Sequence, residues 1–197
     1  MTHVVSSARP AAHVQTDEYR KMRPEIVGLE NPEPPFPITI AGNVQKGFGR
    51  GGKELGCPTA NLQDEAIASM NAVTQTGVYY GYAQLIVPQN HQAVFGVDDL
   101  KVFPMAMSLG RNLFYKNERL SAEVHIMHDF KTDFYGYELR VVVLGYIRPE
   151  LDYTSRDALI EDIEFDKKVA LKSLDRPAYR EYIFHPHFKT TKRCSKI

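Results

Sequence analysis

Several features that define other classes of protein are missing from this sequence of 197 residues. Only two cysteines are present, Cys57 and Cys194, and their wide separation gives neither a disulfide framework nor a metal-ligand spacing. A reducing compartment therefore fits best. No apolar run approaches the ~20 residues that a membrane-spanning helix needs, so we expect no insertion into a membrane.

The charges balance, because 24 Lys and Arg residues stand against 24 Asp and Glu residues. Without a global positive field, the sequence predicts no nucleic-acid partner. The first residues lack the apolar core of a secretory signal. We expect a monomer that acts in the cytoplasm. The C-terminal Ser195-Lys196-Ile197 differs by one conservative change from a peroxisomal address, and a frayed basic tail is the favoured alternative.

The prolines are concentrated at the start of the chain, where six of the twelve fall within residues 1–37. Fixed φ angles and missing donors oppose both helix and central strand, so this segment is predicted to be a largely disordered arm. The chain length calls for a single core, which we place at residues 38–175. Residues 176–197 are predicted to wrap around that core and to end in a basic tail.

Short stretches rich in β-branched and aromatic residues recur through the core, each bounded by Gly, Pro, Asn or Asp. No helical pattern separates them, so an antiparallel meander or a closed barrel is favoured over a parallel sheet. Alternation places Val124, Ile126 and His128 on one face of a strand. Glu123 and His125 share the other face, which can meet a ligand. The predicted strands are ITIAGNV, TGVYYGYAQL, QAVFGV, VFPMAMSLG, SAEVHIMHDF and ELRVVVLGYI.

After the last strand the apolar period changes to that of a helix. Thr154 and Asp157 have the spacing of a capping box, and the repeat ends before Pro177. We therefore predict one amphipathic helix that packs against the sheet. Its apolar positions are Ile160, Ile163, Ala170, Leu171 and Leu174.

The stretch GFGRGGKELGCPTANL, residues 47–62, fits two phosphate-binding patterns, GxxxxGK and GxGxxG. Both patterns need a helix directly after the glycines. Gly56 and Pro58 prevent that helix, and Glu54 stands where a P-loop has a hydroxyl. What remains is a flexible flap whose bare amides and two cations suit an anionic ligand, or alternatively a mobile hairpin with solvated charges.

The PTAN motif offers a hydroxyl and an amide oxygen two residues apart. In an extended segment Thr59 and Asn61 project from the same side and can bind Mg²⁺, which usually shares its shell with phosphate oxygens and water. An Asx-stabilised turn is the favoured alternative from these residues alone. For Glu123, the alternative is a surface carboxylate paired with a lysine. His125 and His128 lie on opposite faces of one strand, so they cannot hold a metal together.

Several longer motifs together resemble one known family. These are GFGRGGKELGCPTANL, TGVYYGYA, FYKN, SAEVHIMHDF, DFYGYELRV and LGYIRPELDY, in this order within residues 38–175. With them the chain resembles the eukaryotic riboflavin kinases, which use ATP to phosphorylate the ribityl 5′-hydroxyl of riboflavin and so make FMN. The resemblance implies a mainly β fold, a small closed antiparallel Greek-key-like β-barrel with a C-terminal α-helix.

The resemblance also implies roles for individual residues. Glu123 corresponds to the catalytic carboxylate and would act as general base. Thr59 and Asn61 correspond to ligands of Mg²⁺, with Zn²⁺ or Mn²⁺ as alternatives. The nucleotide-binding positions are Gly47, Gly49, Arg50, Lys53, Thr59, Asn61, Ile126, His128 and Tyr135. The flavin-binding positions are Arg148, Leu151 and Tyr153.

Two departures from the family pattern lie in the loops. Gly52 stands where the family flap usually has serine, which removes one side-chain donor. GRNL at residues 110–113 replaces GWNP, and this change motivates a second hypothesis, a catalytically weak module that binds a flavin or a nucleotide. A fused activity that makes FAD is not expected, because the arm before Ile38 is too short for a further domain.

Overall fold

The fold is built on one antiparallel β-sheet. The computed structural model describes residues 16–47, 56–72, 75–112, 119–153 and 155–188. The strands are β1 (Ile38–Asn43), β2 (Ala60–Gln63), β3 (Gly77–Ile86), β4 (Val102–Asn112), β5 (Arg119–Ile126) and β6 (Glu138–Arg148). The α-helices are α1 (Thr16–Met22), α2 (Arg156–Leu174) and α3 (Pro177–Arg180). The strands lie in the order β1-β6-β3-β4-β5-β2.

The sheet curls until its two edge strands meet. Gln45, just after β1, donates its backbone N–H to the carbonyl of Asn61 in β2 at 2.9 Å. Because β1 and β2 are the edges of the sheet, this bridge joins one edge to the other. The predicted antiparallel barrel with a C-terminal helix is confirmed, in the form of a half-barrel whose edges are joined at this bridge.

Alternation along each strand separates the interior from the outer surface. In β5, Ala122, Val124 and Ile126 are buried whereas Glu123 is exposed, as the sequence predicts. The strand ends at Ile126, because the backbone turns there and the N–H of His128 donates to the Ile126 carbonyl at 2.8 Å. His128, which the pattern places within the strand, therefore lies beyond it.

The interior of the curled sheet holds the main hydrophobic core. All six strands contribute side chains to it, and each fully buried Leu, Ile or Met contributes about 1.5–3 kcal/mol. The almost fully buried members include Ile40, Leu62, Tyr79, Met105, Met107, Leu109, Val124, Leu139 and Val141. This core fixes the strand register on which the outer-face residues depend.

Helix α2 begins later than the capping pattern predicts. The side chain of Ser155 accepts a hydrogen bond from the N–H of Ala158 at 3.2 Å, so Ser155 is the N-cap. Thr154 lies outside the described residues. The apolar pattern also points Leu171 toward the sheet, but this side chain is exposed. The buried residues of the helix are Asp162, Asp166, Val169, Ala170, Ser173 and Leu174.

Three other segments differ from the sequence prediction. QAVFGV, predicted as a strand, instead begins within a 3₁₀ helix over Gln89–Val94, and the N–H of Phe95 donates to the carbonyl of Gln92 at 3.1 Å and closes a local turn. A second 3₁₀ helix, Asp64–Ala72, is not anticipated by the sequence pattern. The PTAN motif runs into strand β2, so its extended backbone excludes the Asx-turn alternative.

The N-terminal arm is ordered in its described part. Residues 16–22 form α1, and Arg23 just after it donates to the Asp162 carboxylate at 2.6 Å. Further along, the Leu29 carbonyl accepts a hydrogen bond from the Tyr179 hydroxyl at 2.9 Å. These contacts differ from the expectation of a largely disordered arm. Residues 1–15 lie outside the described part.

The C-terminal segment returns to the sheet after α3. His187 donates through Nε2 to the carbonyl of Ile40 at 2.8 Å, and its own carbonyl accepts from Arg140 Nη1 at 3.0 Å. The described part of this segment therefore packs on β1 and β6. The boundaries at residues 37 and 175 stay predictions, and the final tripeptide is outside the described residues. None of the helices described is long and apolar enough to cross a membrane.

Candidate active site

Three of the predicted site residues meet where strands β2 and β5 pair. Asn61 lies directly opposite Glu123 in the antiparallel register. The hydroxyl of Thr59, which immediately precedes β2, donates to Glu123 Oε2 at 3.3 Å. Thr59 and Asn61 are half-buried, and Glu123 is exposed. The structure thus gathers a hydroxyl, an amide and a carboxylate on the outer face of the sheet.

Strand β4 adds a residue that the sequence analysis misses. Ser108 is the partner of Glu123 on the side away from Asn61, so the three polar residues form one row across three strands. Ser108 is exposed, whereas its neighbours Met107 and Leu109 are buried. A single polar residue in the otherwise apolar stretch VFPMAMSLG is the signal that could have identified it.

The glycine-rich stretch enters the site at Gly47. A Cβ atom at Gly47 would lie 2.5 Å from Asn61 Nδ2, so the bare backbone of this glycine packs directly on the Asn61 side chain. A larger residue would have to displace the amide. Gly49, Arg50 and Lys53 lie outside the described residues, and their contact with a nucleotide stays a prediction.

His125 holds the chain just before Thr59. Its Nδ1 donates to the Pro58 carbonyl at 3.0 Å. Burial lowers the pKa of His125 below its usual value of 6.5, although the bond to Pro58 opposes this. The neutral ring with its proton on Nδ1 therefore positions Pro58 and the adjoining hydroxyl. Next to it, burial raises the pKa of the Cys57 thiol to about 11.

Tyr135 lies beside the entrance to the flap. The N–H of Gly136 donates to the Val44 carbonyl at 2.8 Å, and the N–H of Val44 donates to the Tyr137 carbonyl at 2.9 Å. These bonds place the turn that carries Tyr135 next to the end of β1. The Lys46 ammonium lies 5.8 Å from the centre of the exposed Tyr135 ring. An aromatic face and a cation are therefore adjacent there.

The other two predicted nucleotide-binding residues have different surroundings. The side chain of Ile126 is buried in the core. The His128 ring stacks on Phe103 with ring centres 4.1 Å apart, and its Nε2 lies 2.7 Å from Asp99 Oδ1. The structure therefore packs His128 against Phe103 and Asp99, and contact of either residue with a nucleotide stays a prediction.

Arg148, at the end of β6, is held beneath α2. Its Nε and Nη2 donate to the Asp166 carboxylate at 2.9 Å and 2.7 Å, and both side chains are buried. Its Nη1 donates to the Pro149 carbonyl at 3.0 Å. The guanidinium thus fixes the first residue of the 149–153 segment, which connects β6 to α2.

The 149–153 segment carries the other two predicted flavin-binding residues, Leu151 and Tyr153. The Tyr153 hydroxyl is buried, and it has no hydrogen-bond partner in the described part of the chain. Burial raises the pKa of Tyr153 to about 12, so the hydroxyl keeps its proton and can donate to a ligand. Leu151 is half-buried.

The same segment approaches the Glu123 row. A Cβ atom at Gly110 would lie 2.8 Å from Glu150 Oε1, so Glu150 lies against strand β4 at this point. Gly110 pairs with Ser121, and Glu123 follows two residues later on the same face. Two residues span about 7 Å along a strand. The predicted flavin-binding segment therefore begins beside a residue pair that is two residues along β5 from Glu123.

The donors in this site suit a hard divalent ion. Among the described residues, no group of three His, Cys, Asp or Glu side chains could hold a metal. Thr59 and Asn61 instead offer neutral oxygen atoms beside the Glu123 carboxylate. Mg²⁺ is usually bound by one or two protein groups together with phosphates and water, so the residues present fit such an ion.

Comparison with solved structures gives the class of this fold. The chain is similar to a riboflavin kinase from Trypanosoma brucei, with a TM-score of 0.58 and 25% sequence identity, covering 82% of this chain and 94% of that one. The curled sheet with its C-terminal helix is therefore similar to the fold of a kinase that acts on a small molecule.

Sequence comparison defines the family. The family profile described as "Flavokinase: Riboflavin kinase" matches residues 34–174. Curated riboflavin kinases of Scheffersomyces stipitis and Pyricularia oryzae are 48% and 49% identical, over 81% and 80% of this chain and 97% and 81% of theirs. The riboflavin kinase of Aspergillus fumigatus is 44% identical over 82% of this chain and 90% of its own. The chain therefore belongs to the riboflavin kinase family and is an enzyme.

Proposed function

We propose that this enzyme transfers the γ-phosphoryl group of ATP to the 5′-hydroxyl of riboflavin and releases FMN and ADP. The observation that carries the proposal is the hydrogen bond of 3.3 Å between Thr59 and Glu123, with Asn61 in register beside them. Phosphoryl transfer passes through a loose transition state, so a site must chiefly align the two substrates and neutralise charge. A row of oxygen ligands next to a base meets both needs.

Glu123 is the general base in this proposal. As the ribityl oxygen forms its bond to the γ-phosphorus, the hydroxyl proton passes to the Glu123 carboxylate and the bond to the ADP oxygen breaks. The carboxylate is exposed on the outer face of the sheet and already accepts the Thr59 hydroxyl, so its remaining oxygen lone pairs are available to a substrate. Such a base typically contributes ~10²–10⁴-fold to the rate.

Thr59 and Asn61 would hold Mg²⁺, with Zn²⁺ or Mn²⁺ as alternatives. Held by these two residues, a divalent ion would supply positive charge next to the phosphate oxygens. The protein supports these two ligands from behind. His125 fixes the chain before Thr59, and the backbone of Gly47 packs on Asn61.

The nucleotide would lie between the flap and the turn at Tyr135. Gly49, Arg50 and Lys53 supply amides and cations for the phosphates in this proposal, because Gly47 places the start of the flap on the metal ligand Asn61. The exposed Tyr135 ring beside Lys46 supports a contact with the adenine ring of the nucleotide. Ile126 and His128 would contact the nucleotide from the end of β5.

The flavin would bind along the 149–153 segment. The buried Tyr153 hydroxyl, which lacks a partner among the described residues, is available as a donor, and Leu151 offers an apolar surface. Arg148 is already bound to Asp166 and Pro149, so its role here is to hold the segment in place. Glu150 lies next to Gly110, one row from Glu123, which brings the segment within reach of the base.

A product assay tests the proposal. The purified chain is incubated with riboflavin, ATP and Mg²⁺, and the flavins are separated by liquid chromatography. We expect FMN without FAD, and a matched reaction without Mg²⁺ should give far less product. Tight binding of FMN without turnover would overturn the kinase and favour the weak flavin-binding module. We also propose a cytoplasmic monomer, which light scattering of the purified protein and fluorescence localisation of the full chain test.

A further inference from the structure

The N-terminal arm is anchored to α2 by a buried acidic residue. Only 1% of the Asp162 side chain is exposed. Its carboxylate accepts hydrogen bonds from Arg20 Nε at 3.1 Å and Arg23 Nη1 at 2.6 Å. Arg20 also donates to the Ala158 carbonyl at 3.1 Å. The Arg23 guanidinium lies 3.7 Å from the centre of the Phe165 ring. A buried carboxylate with two such partners holds the arm firmly, because losing them would leave its charge uncompensated.

A second anchor fixes the arm a few residues later. Arg176 donates to the carbonyls of Val27 at 2.6 Å and Gly28 at 3.0 Å, and the Tyr80 hydroxyl donates to the Val27 carbonyl at 3.1 Å. Gly28 has φ of +79°, and a Cβ there would lie 2.7 Å from the Tyr80 oxygen. The course of the arm is thus determined at both Asp162 and Arg176.

The 149–153 segment connects β6 to α2, the helix to which Asp162 anchors the arm. Asp166, one turn after Asp162 on α2, binds Arg148, which in turn holds Pro149. Arg20 donates to the Ala158 carbonyl in the first turn of α2, just after the segment ends. The arm therefore holds the helix into which the 149–153 segment leads.

We propose that the N-terminal arm belongs to the acceptor side of the active site, where Arg20 and Arg23, held by Asp162, position the 149–153 segment for binding of the flavin. The inference rests on the proposed function. Because Asp162 binds both arginines, the arm does not contact the flavin itself. It acts by holding the 149–153 segment, and with it the Tyr153 hydroxyl, in place. Arg20 and Arg23 are therefore positioning residues.

Steady-state kinetics of the full-length chain test this role. In Arg20→Ala the KM for riboflavin should rise roughly 2- to 30-fold, the range for residues that act through a neighbour, while the KM for ATP stays near its wild-type value. Arg20→Lys should recover part of the effect, because lysine keeps the charge but not the planar fork. Lys172→Ala removes an exposed contact between α2 and Glu25 of the arm and should match the wild type.

The outcomes separate the two proposals. If the wild type makes FMN but Arg20→Ala keeps the wild-type KM for riboflavin, or raises both KM values equally, the arm is only a structural strap and the inference is overturned. If Arg20→Ala does not fold in a thermal melt, Arg20→Lys gives the same comparison at smaller amplitude. A wild type that makes no FMN would instead contradict the proposed function.

Discussion

The hydroxyl of Thr59 donates to the carboxylate of Glu123 at 3.3 Å, although the two residues are 64 positions apart. The pairing of β2 with β5 brings them together, and His125 on the same strand holds the chain before Thr59. This contact joins the residue proposed to bind the metal to the residue proposed to accept the proton. Substitutions on its two sides should therefore have different kinetic effects.

Glu123→Gln should lower kcat by about 10²–10⁴-fold, because the glutamine amide cannot accept the proton of the riboflavin 5′-hydroxyl. The KM values for riboflavin and ATP should change little, since the amide is nearly the same size. Initial rates of FMN formation measure both quantities. Glu181→Gln, at an exposed carboxylate after α3, is the matched control. A fully active Glu123→Gln enzyme would remove Glu123 from its proposed role.

Thr59→Ala should weaken metal binding more than flavin binding. The Mg²⁺ concentration for half-maximal rate should rise at least roughly 10-fold, the effect usual when a group that supports a metal is lost. Titrating Mg²⁺ at saturating riboflavin measures it. The control is Thr39→Ala, at an exposed threonine on β1. An unchanged Mg²⁺ dependence would show that the Thr59 hydroxyl is not a ligand.

Asp166→Asn should destabilise the protein by about 3–5 kcal/mol, because it leaves the buried Arg148 charge uncompensated. Urea unfolding gives the free energy. Asp175→Asn, which breaks an exposed pair with Arg180, should cost at most about 1 kcal/mol. If both variants lost the same small amount, Arg148 would not depend on Asp166 for its charge.

The stability that Asp162 contributes should depend on pH. Burial opposes its ionisation, but the hydrogen bonds from Arg20 and Arg23 outweigh burial and hold the pKa of Asp162 below its usual 3.8. The folded state therefore favours the ionised form, so this stability is present above the unfolded pKa and is lost as pH falls through the folded one. The difference in unfolding free energy between the wild type and Asp162→Asn should shrink below about pH 4. A constant difference down to pH 2 would contradict this.

Cys57 should resist alkylation in the folded enzyme. It is 7% exposed, and burial raises its pKa to about 11. At pH 8 only about one thiol in a thousand would then be the reactive thiolate. Iodoacetamide labelling followed by peptide mass spectrometry distinguishes Cys57 from Cys194. Labelling in urea serves as the positive control, and rapid labelling of Cys57 in native protein would show that the site opens.

The sequence is informative about the site wherever the information is local. Alternation in β5 is enough to place Glu123 outside and Val124 inside, and the extended PTAN motif puts Thr59 and Asn61 on one side of the chain. Their meeting with Glu123 depends on strand pairing across the sheet, which only the family resemblance could anticipate. The donor bond from His125 to Pro58 has no signal in the sequence.

The arm and α2 show where local patterns mislead. Prolines make residues 1–37 look disordered, and the apolar period of α2 does not indicate that Asp162 and Asp166 are buried. Each carboxylate is buried because its arginine partner comes from elsewhere, Arg20 from 142 positions away and Arg148 from 18. Polar residues that satisfy one another over such distances leave no periodic trace in the sequence.

The bridge between Gln45 and Asn61 gives a local measure of how tightly the edges of the sheet are joined. The Asn61 backbone accepts the Gln45 N–H and closes the seam between the edges, and its side chain packs on the backbone of Gly47. The residue proposed to bind the metal is thus also the residue that closes the seam. Deuterium uptake at the Gln45 amide therefore reports on opening of the sheet beside the candidate site, without any added label.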